Sequence, residues 1–204
     1  MDIINIVYID DIIDRGISKC LYKYKLGQKN IEYIEIPYTE EYTYKKLLEE
    51  IENLNINIVV IDSALYLESD SRERFTGEQF KIILKKILPY VETIVISQNK
   101  QENDWDIIKK FNQDIHMEKY KTDVEYYQSE LIKVLEKKIN EVKMGREIYS
   151  KLEEEQVVEK KLLEKISLSL SGEEKYSELK SEDINTLIES FQELKRALNG
   201  QKWL

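Results

Sequence analysis

The fold is decided by the stretch Ile3-Ile4-Asn5-Ile6-Val7-Tyr8-Ile9-Asp10-Asp11, an apolar run that ends abruptly in two carboxylates. A short run this rich in Ile and Val predicts a buried strand. In parallel α/β sheets, functional side chains collect at the carboxyl ends of such strands. Asp10 and Asp11 therefore lie where a functional site is expected.

Three further apolar runs predict strands that end in polar side chains. Residues 58–62 end in the carboxylate of Asp62, residues 93–97 in the hydroxyl of Ser97, and the weaker run 115–119 in the amine of Lys119. A more polar run at 31–36 is closed by Pro37, which places this strand nearer an edge of the sheet.

Helical patterns separate the predicted strands. Apolar residues recur at helical spacing in three segments, and a shorter fourth pattern follows Ser97. They are Ile13, Ile17, Cys20, Leu21 and Tyr24; Tyr44, Leu47, Leu48, Ile51 and Leu54; Phe80, Ile83, Leu84, Ile87 and Leu88; and Trp105, Ile108 and Phe111. Repeated alternation of strand and helix predicts a flavodoxin-like fold, a doubly wound five-stranded parallel sheet with helices on both faces.

From about Asp123 onward the pattern is helical to nearly the end of the chain. We predict a division into an α/β domain at 1–140 and a helical output or dimerisation segment at 141–204. Within that segment, 141–165 is a charged imperfect heptad pattern, and 167–172 predicts a break. A second amphipathic helix is predicted after Ser181, with an apolar face of Ile184, Leu187, Ile188, Phe191, Leu194 and Leu198.

Composition narrows the class of protein. The 204 residues are 42% hydrophobic and 35% charged, as in ordinary globular proteins. The formal charge of −9 argues against sequence-independent binding to nucleic-acid phosphates, which needs clustered Lys and Arg. No apolar run approaches the ~20 residues of a membrane span, and no signal-peptide pattern begins the chain, so the cytoplasm is the expected compartment. The single cysteine, Cys20, cannot form an internal disulfide and falls on an apolar helix face.

The predicted strand ends combine groups that suit phosphoryl chemistry. Carboxylates gathered at one sheet edge repel one another unless a hard cation such as Mg²⁺ lies among them. The carboxylate of Asp62 can take a phosphoryl group as an aspartyl phosphate, while an ammonium and a hydroxyl bind its oxygens. Lys119 and Ser97 are the residue types required.

The order of these residues resembles the receiver domain of two-component response regulators, over residues 1–140. The resemblance implies signal transduction by phosphorylation with Mg²⁺ as cofactor, and Gly77 matches a glycine that follows the acceptor loop. His116 lies three residues before the lysine, where many receivers keep a switching aromatic ring. The implied roles are Asp62 as phospho-acceptor, Asp10 and Asp11 as the metal-binding acid pair, the Ala64 carbonyl as a further metal ligand, Ser97 as the switch hydroxyl, and Lys119 as the strand-five lysine.

The leading hypothesis is an intracellular signalling protein that takes a phosphoryl group from a histidine kinase or small phosphodonor. Its C-terminal helices would bind a protein partner or form a symmetric homodimer. The main alternative is a pseudo-receiver, a binding module that is not phosphorylated; the long loop at 63–76, Gln98 and Tyr120 depart from the family pattern. An aspartate-based phosphatase is a third class, but it usually needs an acid where Ala64 stands. A lone aspartate at a strand end can also simply cap the next helix.

Overall fold

The computed structural model of the chain describes residues 3–39, 41–65, 75–99, 106–155, 164, 166–168 and 170. Five strands form one sheet: β1 (Ile4–Asp10), β2 (Ile31–Pro37), β3 (Ile58–Asp62), β4 (Glu92–Ser97) and β5 (Ile107–Lys109). Their order is β2-β1-β3-β4-β5, and every pairing is parallel. This order is that of flavodoxin-like folds, so the predicted fold class is confirmed.

Helices cover both faces of the sheet: α1 (Arg15–Leu26), α2 (Tyr44–Asn53), α3 (Gly77–Ile87), the short α4 (Gln113–His116) and α5 (Asp123–Glu155). Successive residues of a strand point to opposite faces, so the central strands feed two cores. Val7 and Ile9 pack with α2 and α3 in one core. Ile6 and Tyr8 pack with α1 and α5 in the other.

Caps place the helix starts beside the carboxyl edge of the sheet. The Asp14 carboxylate accepts hydrogen bonds from the Gly16 and Ile17 N–H groups at the start of α1. Thr76 caps α3 in a reciprocal capping box with Gln79. These side chains satisfy backbone donors that have no partner within their helix.

The prediction for the fifth strand is wrong. Residues 107–109 form β5, whereas the predicted strand at 115–119 is the end of α4 and a turn. Ile107 packs in one core and Ile108 in the other. A strand of three residues that is buried on both faces shows no alternation of apolar and polar residues. The apolar residues across it fall at helical spacing and instead favour the short helix predicted after Ser97.

Helix α5 confirms the predicted change to helix at Asp123 and continues without a break through residue 140. The division at 140 stays a prediction. Residues 166–168 are helical, so the break predicted at 167–172 is wrong at its beginning; the amphipathic pattern at 184–198 lies outside the described residues. No helix in the described part of the chain is long and apolar enough to cross a membrane.

Helix α5 is fastened to the amino edge of the sheet by charged groups. Lys138 Nζ lies 2.8 Å from a Glu92 carboxylate oxygen, 3.0 Å from one of Asp106 and 2.9 Å from one of Glu141. Burial alone lowers the pKa of Lys138, but the hydrogen bonds from these carboxylates outweigh it and raise the pKa overall. Lys138 therefore stays charged and joins α5 to the residues that open β4 and β5.

Candidate functional site

Three polar side chains meet at the carboxyl edge of the sheet. Asp10, Asp62 and Ser97 end the neighbouring strands β1, β3 and β4, and their exposures are 1%, 3% and 4%. The parallel register aligns the ends of these strands, as predicted from the sequence. Two carboxylates this deeply buried need compensating donors or charges.

Lys110 supplies that compensation for Asp62. It follows β5, where its N–H donates to the Ser97 carbonyl oxygen at 2.8 Å. Its Nζ donates to Asp62 Oδ1 at 3.0 Å. Burial alone lowers the pKa of Lys110, but the charge and hydrogen bond of Asp62 outweigh it and raise the pKa. The ammonium therefore remains protonated over the carboxylate.

The prediction that Lys119 ends the fifth strand is wrong. Lys119 lies in the turn after α4, with its side chain 72% exposed and its Nζ 3.7 Å from a Glu130 carboxylate oxygen. Lys110 takes the position next to Asp62 instead. The available signal was the pair Ile107-Ile108 followed at once by two lysines. Like the other predicted strands it is an apolar run that ends in polar residues, but the run is only two residues long.

His116 ends α4 and packs against aromatic rings, not against the carboxyl edge. Its Nδ1 accepts a hydrogen bond from the Asn112 N–H at 2.9 Å. Its ring centroid lies 4.4 Å from that of Tyr126 and 5.6 Å from that of Phe111. Because Lys110 is the lysine of the site, the predicted spacing of His116 three residues before that lysine is wrong; a switching role stays a prediction.

The remaining predicted residues are held by local hydrogen bonds. The Ala64 N–H donates to Asp62 Oδ2 at 2.9 Å. Ser97 Oγ accepts from the Asn99 N–H at 3.3 Å. Asp11 is partly exposed, and its Oδ1 accepts from the Ile12 N–H at 2.9 Å. Asp11 thus contacts its neighbour in the chain and forms no described contact with Asp62.

Gly77 brings the start of α3 against the backbone of Asp62. Its N–H donates to the Ser63 carbonyl oxygen at 3.1 Å. A Cβ at this position would lie 2.5 Å from the Asp62 carbonyl oxygen. A side chain at this position is therefore excluded by the close approach to the Asp62 backbone, and the family match of Gly77 stays a prediction.

Asp10 has a donor on each carboxylate oxygen. The Tyr8 hydroxyl donates to Oδ2, and the Ile12 N–H donates to Oδ1 at 3.1 Å. Burial raises the pKa of Asp10 to about 6, and the nearby charge of Asp62 acts in the same direction. Tyr8 is the site residue that the sequence reasoning missed, although side chains two residues apart on a strand share a face.

These residues do not fit the predicted Mg²⁺ site as they are arranged here. Among the described residues, no group of three or more His, Cys, Asp or Glu side chains is placed to hold a metal ion. Mg²⁺ needs nearly ideal octahedral geometry and usually keeps several waters. Asp10 is sealed from solvent, Asp62 is covered by Lys110, and Asp11 stands apart, so the three acids do not converge.

Fold and site together define a five-stranded parallel α/β domain with two buried carboxylates and a lysine at its carboxyl edge. No family model and no curated protein sequence matches the chain. A solved structure of the two-component response regulator RcsB with DNA is 14% identical, with a TM-score of 0.38, over 92% of this chain and 98% of that one. A structure of RcsB from Salmonella typhimurium is 13% identical, with a TM-score of 0.40, over 93% and 100%.

Both are response regulators, the family that the order of strand-end residues resembles. The receiver-like fold rests on the strand order of the sheet itself.

Proposed function

We propose that the chain is a cytoplasmic signalling protein of the response-regulator type that accepts a phosphoryl group on Asp62. The observation that carries the proposal is the contact of 3.0 Å between Lys110 Nζ and Asp62 Oδ1 at the carboxyl edge. An acceptor aspartate needs a fixed cation beside it, because the transferred group brings further negative charge. Ser97 ends the neighbouring strand β4, between β3 and β5, and supplies a hydroxyl at the same edge.

The step is a displacement at phosphorus. An Asp62 oxygen forms the new P–O bond, and the bond from phosphorus to the donor breaks, with its electron pair leaving on the donor's imidazole or carboxylate. The donor is a histidine kinase or a small acyl phosphate. Lys110 binds the developing charge on the equatorial oxygens, in exchange for its present contact with the carboxylate. Mg²⁺ stays a prediction from the family resemblance, and no part of this step is assigned to it.

Intact-mass measurement after incubation with acetyl phosphate tests the proposal. Wild type should gain one phosphoryl group, and Asp62→Asn should gain none. Lys110→Ala should lose most of the labelling or its structural consequence, whereas Lys119→Ala should behave as wild type, because Lys119 lies in an exposed turn. Absence of label on the wild type with every donor, with and without Mg²⁺, contradicts the proposal.

A pseudo-receiver is the second candidate, and the state of Asp10 favours it. Its two oxygens already have donors, and the side chain is sealed from solvent. A buried carboxylate with satisfied hydrogen bonds can serve the fold alone. An unlabelled wild type whose urea midpoint falls when Asp10 is replaced by Asn would support this function as a binding module.

We also propose that output passes through the C-terminal helices, as a symmetric homodimer or with a protein partner. Met144 and Ile148 lie one turn apart on α5, and both are exposed apolar side chains. Light scattering on the full chain, before and after phosphorylation, tests this. A monomer at tens of micromolar under both conditions would contradict the dimer and leave intramolecular packing or a heterologous partner.

A further inference from the structure

Tyr8 occupies an unusual position for a bulky polar side chain, inside the interior strand β1. Side chains at alternate strand positions share a face, so Tyr8 and Asp10 both point toward α1 and α5. The Tyr8 ring is fully buried in the core on that face. An aliphatic side chain there would end below the carboxylate, whereas the tyrosine hydroxyl reaches it.

Two contacts fix the direction of the hydroxyl. The Asp14 N–H, at the cap of α1, donates to the Tyr8 hydroxyl oxygen at 3.2 Å. The hydroxyl hydrogen is therefore directed at Asp10 Oδ2. Tyr8 thus belongs to the cap of α1 as well as to the acid pair.

We infer that Tyr8 closes the Asp10 carboxylate to divalent cations, by placing its hydroxyl on the oxygen that a metal ion at this edge would need. The negative charge of the edge is instead compensated by Lys110, which contacts Asp62 directly. A hydrated cation cannot reach a side chain that is 1% exposed without displacing the hydroxyl or the ammonium. Tyr8 is here a positioning residue, since it acts through Asp10.

The inference deepens the proposed function, and its meaning for signalling rests on that function. It also accounts for one departure from the predicted metal site, the sealed carboxylate of Asp10. It predicts that the site gains metal affinity when only the hydroxyl is removed, because the phenyl ring of Tyr8→Phe keeps the core packing and leaves Asp10 Oδ2 without its donor.

The chain contains a matched control on the neighbouring strand. The Tyr33 hydroxyl donates to Glu35 Oε1 at 2.7 Å, again from a tyrosine to a carboxylate two residues later. β2 pairs with β1 with Tyr8 opposite Glu35. Tyr33→Phe therefore removes the same kind of bond from the same sheet, at a carboxylate that is not part of the site.

The experiment is a calorimetric titration of the full-length chain with Mg²⁺, without any phosphodonor. Wild type and Tyr33→Phe should show no saturable binding at millimolar Mg²⁺. Tyr8→Phe should show saturable binding in the same concentration range. The double variant Tyr8→Phe with Asp10→Asn should lose that gain.

Two results would overturn the inference. One is saturable binding by wild type with the affinity of Tyr8→Phe. The other is a folded Tyr8→Phe, judged by circular dichroism and a cooperative urea transition, that gains no affinity. If Tyr8→Phe does not fold, Tyr8→Leu removes the hydroxyl with different packing and decides the question in the same titration. Because no phosphodonor is present, failure here leaves the labelling of Asp62 a separate question.

Discussion

Replacing Lys138 by Met tests whether its buried ion pairs hold α5 against the sheet. The side chain of Lys138 is 7% exposed and contacts the carboxylates of Glu92, Asp106 and Glu141. Removing one partner of a buried ion pair typically costs about 3–5 kcal/mol, because the other charge is left uncompensated. Met keeps most of the apolar stem, so the loss reports on the charge more than on packing.

The structure places the expected cost at or just below the lower end of that range. The carboxylates keep some contact with water, and Lys81 remains 3.2 Å from Asp106 while Lys85 remains 3.6 Å from Glu92. We therefore expect Lys138→Met to lower the free energy of unfolding by about 2–3 kcal/mol. Urea denaturation followed by circular dichroism measures this as a lower midpoint with an unchanged slope.

The neighbouring lysine provides the control. Lys137 is 59% exposed, and its Nζ lies 3.9 Å from Glu141. Exposed pairs at this spacing contribute about 0.3–0.5 kcal/mol, so Lys137→Met should be nearly neutral. Equal losses in the two variants would refute the reasoning that buried ion pairs anchor α5.

The difference in stability between wild type and Lys138→Met should also depend on pH. Burial alone raises the pKa of Asp106, but Lys138 and then Lys81 outweigh it and lower the pKa overall. A carboxyl group with a lowered folded-state pKa contributes stability above its unfolded value of about 3.9, and this contribution is lost as the pH falls through the folded value. The gap between wild type and Lys138→Met should therefore narrow below about pH 4.

Two further predictions concern groups near the site and the core. Gly77→Ala should cost about 1–3 kcal/mol by forcing a Cβ against the Asp62 carbonyl oxygen, whereas Gly27→Ala, whose Cβ would lie 3.5 Å from its nearest neighbour, should cost much less; equal urea midpoints would contradict this. Cys20 is buried, and burial raises its pKa to about 12, so native protein at pH 8 should react slowly with a disulfide reagent and fully in urea; rapid native labelling would contradict this.

Four of the five strands could be predicted from the sequence because they form continuous apolar runs. The predicted strand at 58–62 has the observed bounds. Those beginning at Ile31 and Glu92 differ from prediction by one residue at one end, and the one beginning at Ile4 differs by one residue at each end. Strands buried on both faces lack alternation and stand out as runs. The more polar run at 31–36 also revealed its position at the edge, where β2 lies.

The fifth strand could not be predicted because three residues carry too little pattern. Ile107 and Ile108 are consecutive, and the apolar residues around them happen to fall at helical spacing. That single error moved the lysine of the site from Lys110 to Lys119 and gave His116 a false position beside it. Contacts between strands, which the sequence does not show, place Lys110 at Asp62.

Asp10 and Asp11 do not converge as the predicted acid pair, for a different reason. Asp10 and Asp11 are adjacent in sequence, but consecutive residues at a strand end point in different directions. Asp10 turns into the core face and meets Tyr8, while Asp11 stays partly exposed. Residue types at strand ends therefore predicted which groups gather at the edge, but not which of their oxygens already accept a hydrogen bond.

Helix α5 contacts both edges of the sheet through different kinds of interaction. At the carboxyl edge, the Tyr127 hydroxyl accepts from the Phe111 N–H at 3.0 Å, one residue after Lys110. At the amino edge, Lys138 forms its ion pairs. Tyr127 and Lys138 are eleven positions apart, a rise of about 16 Å along the helix, which is the length of a five-residue strand, so α5 spans the sheet. Movement of Lys110 toward a modified Asp62 would act on the first contact, and the ionic contact would keep the other end in place.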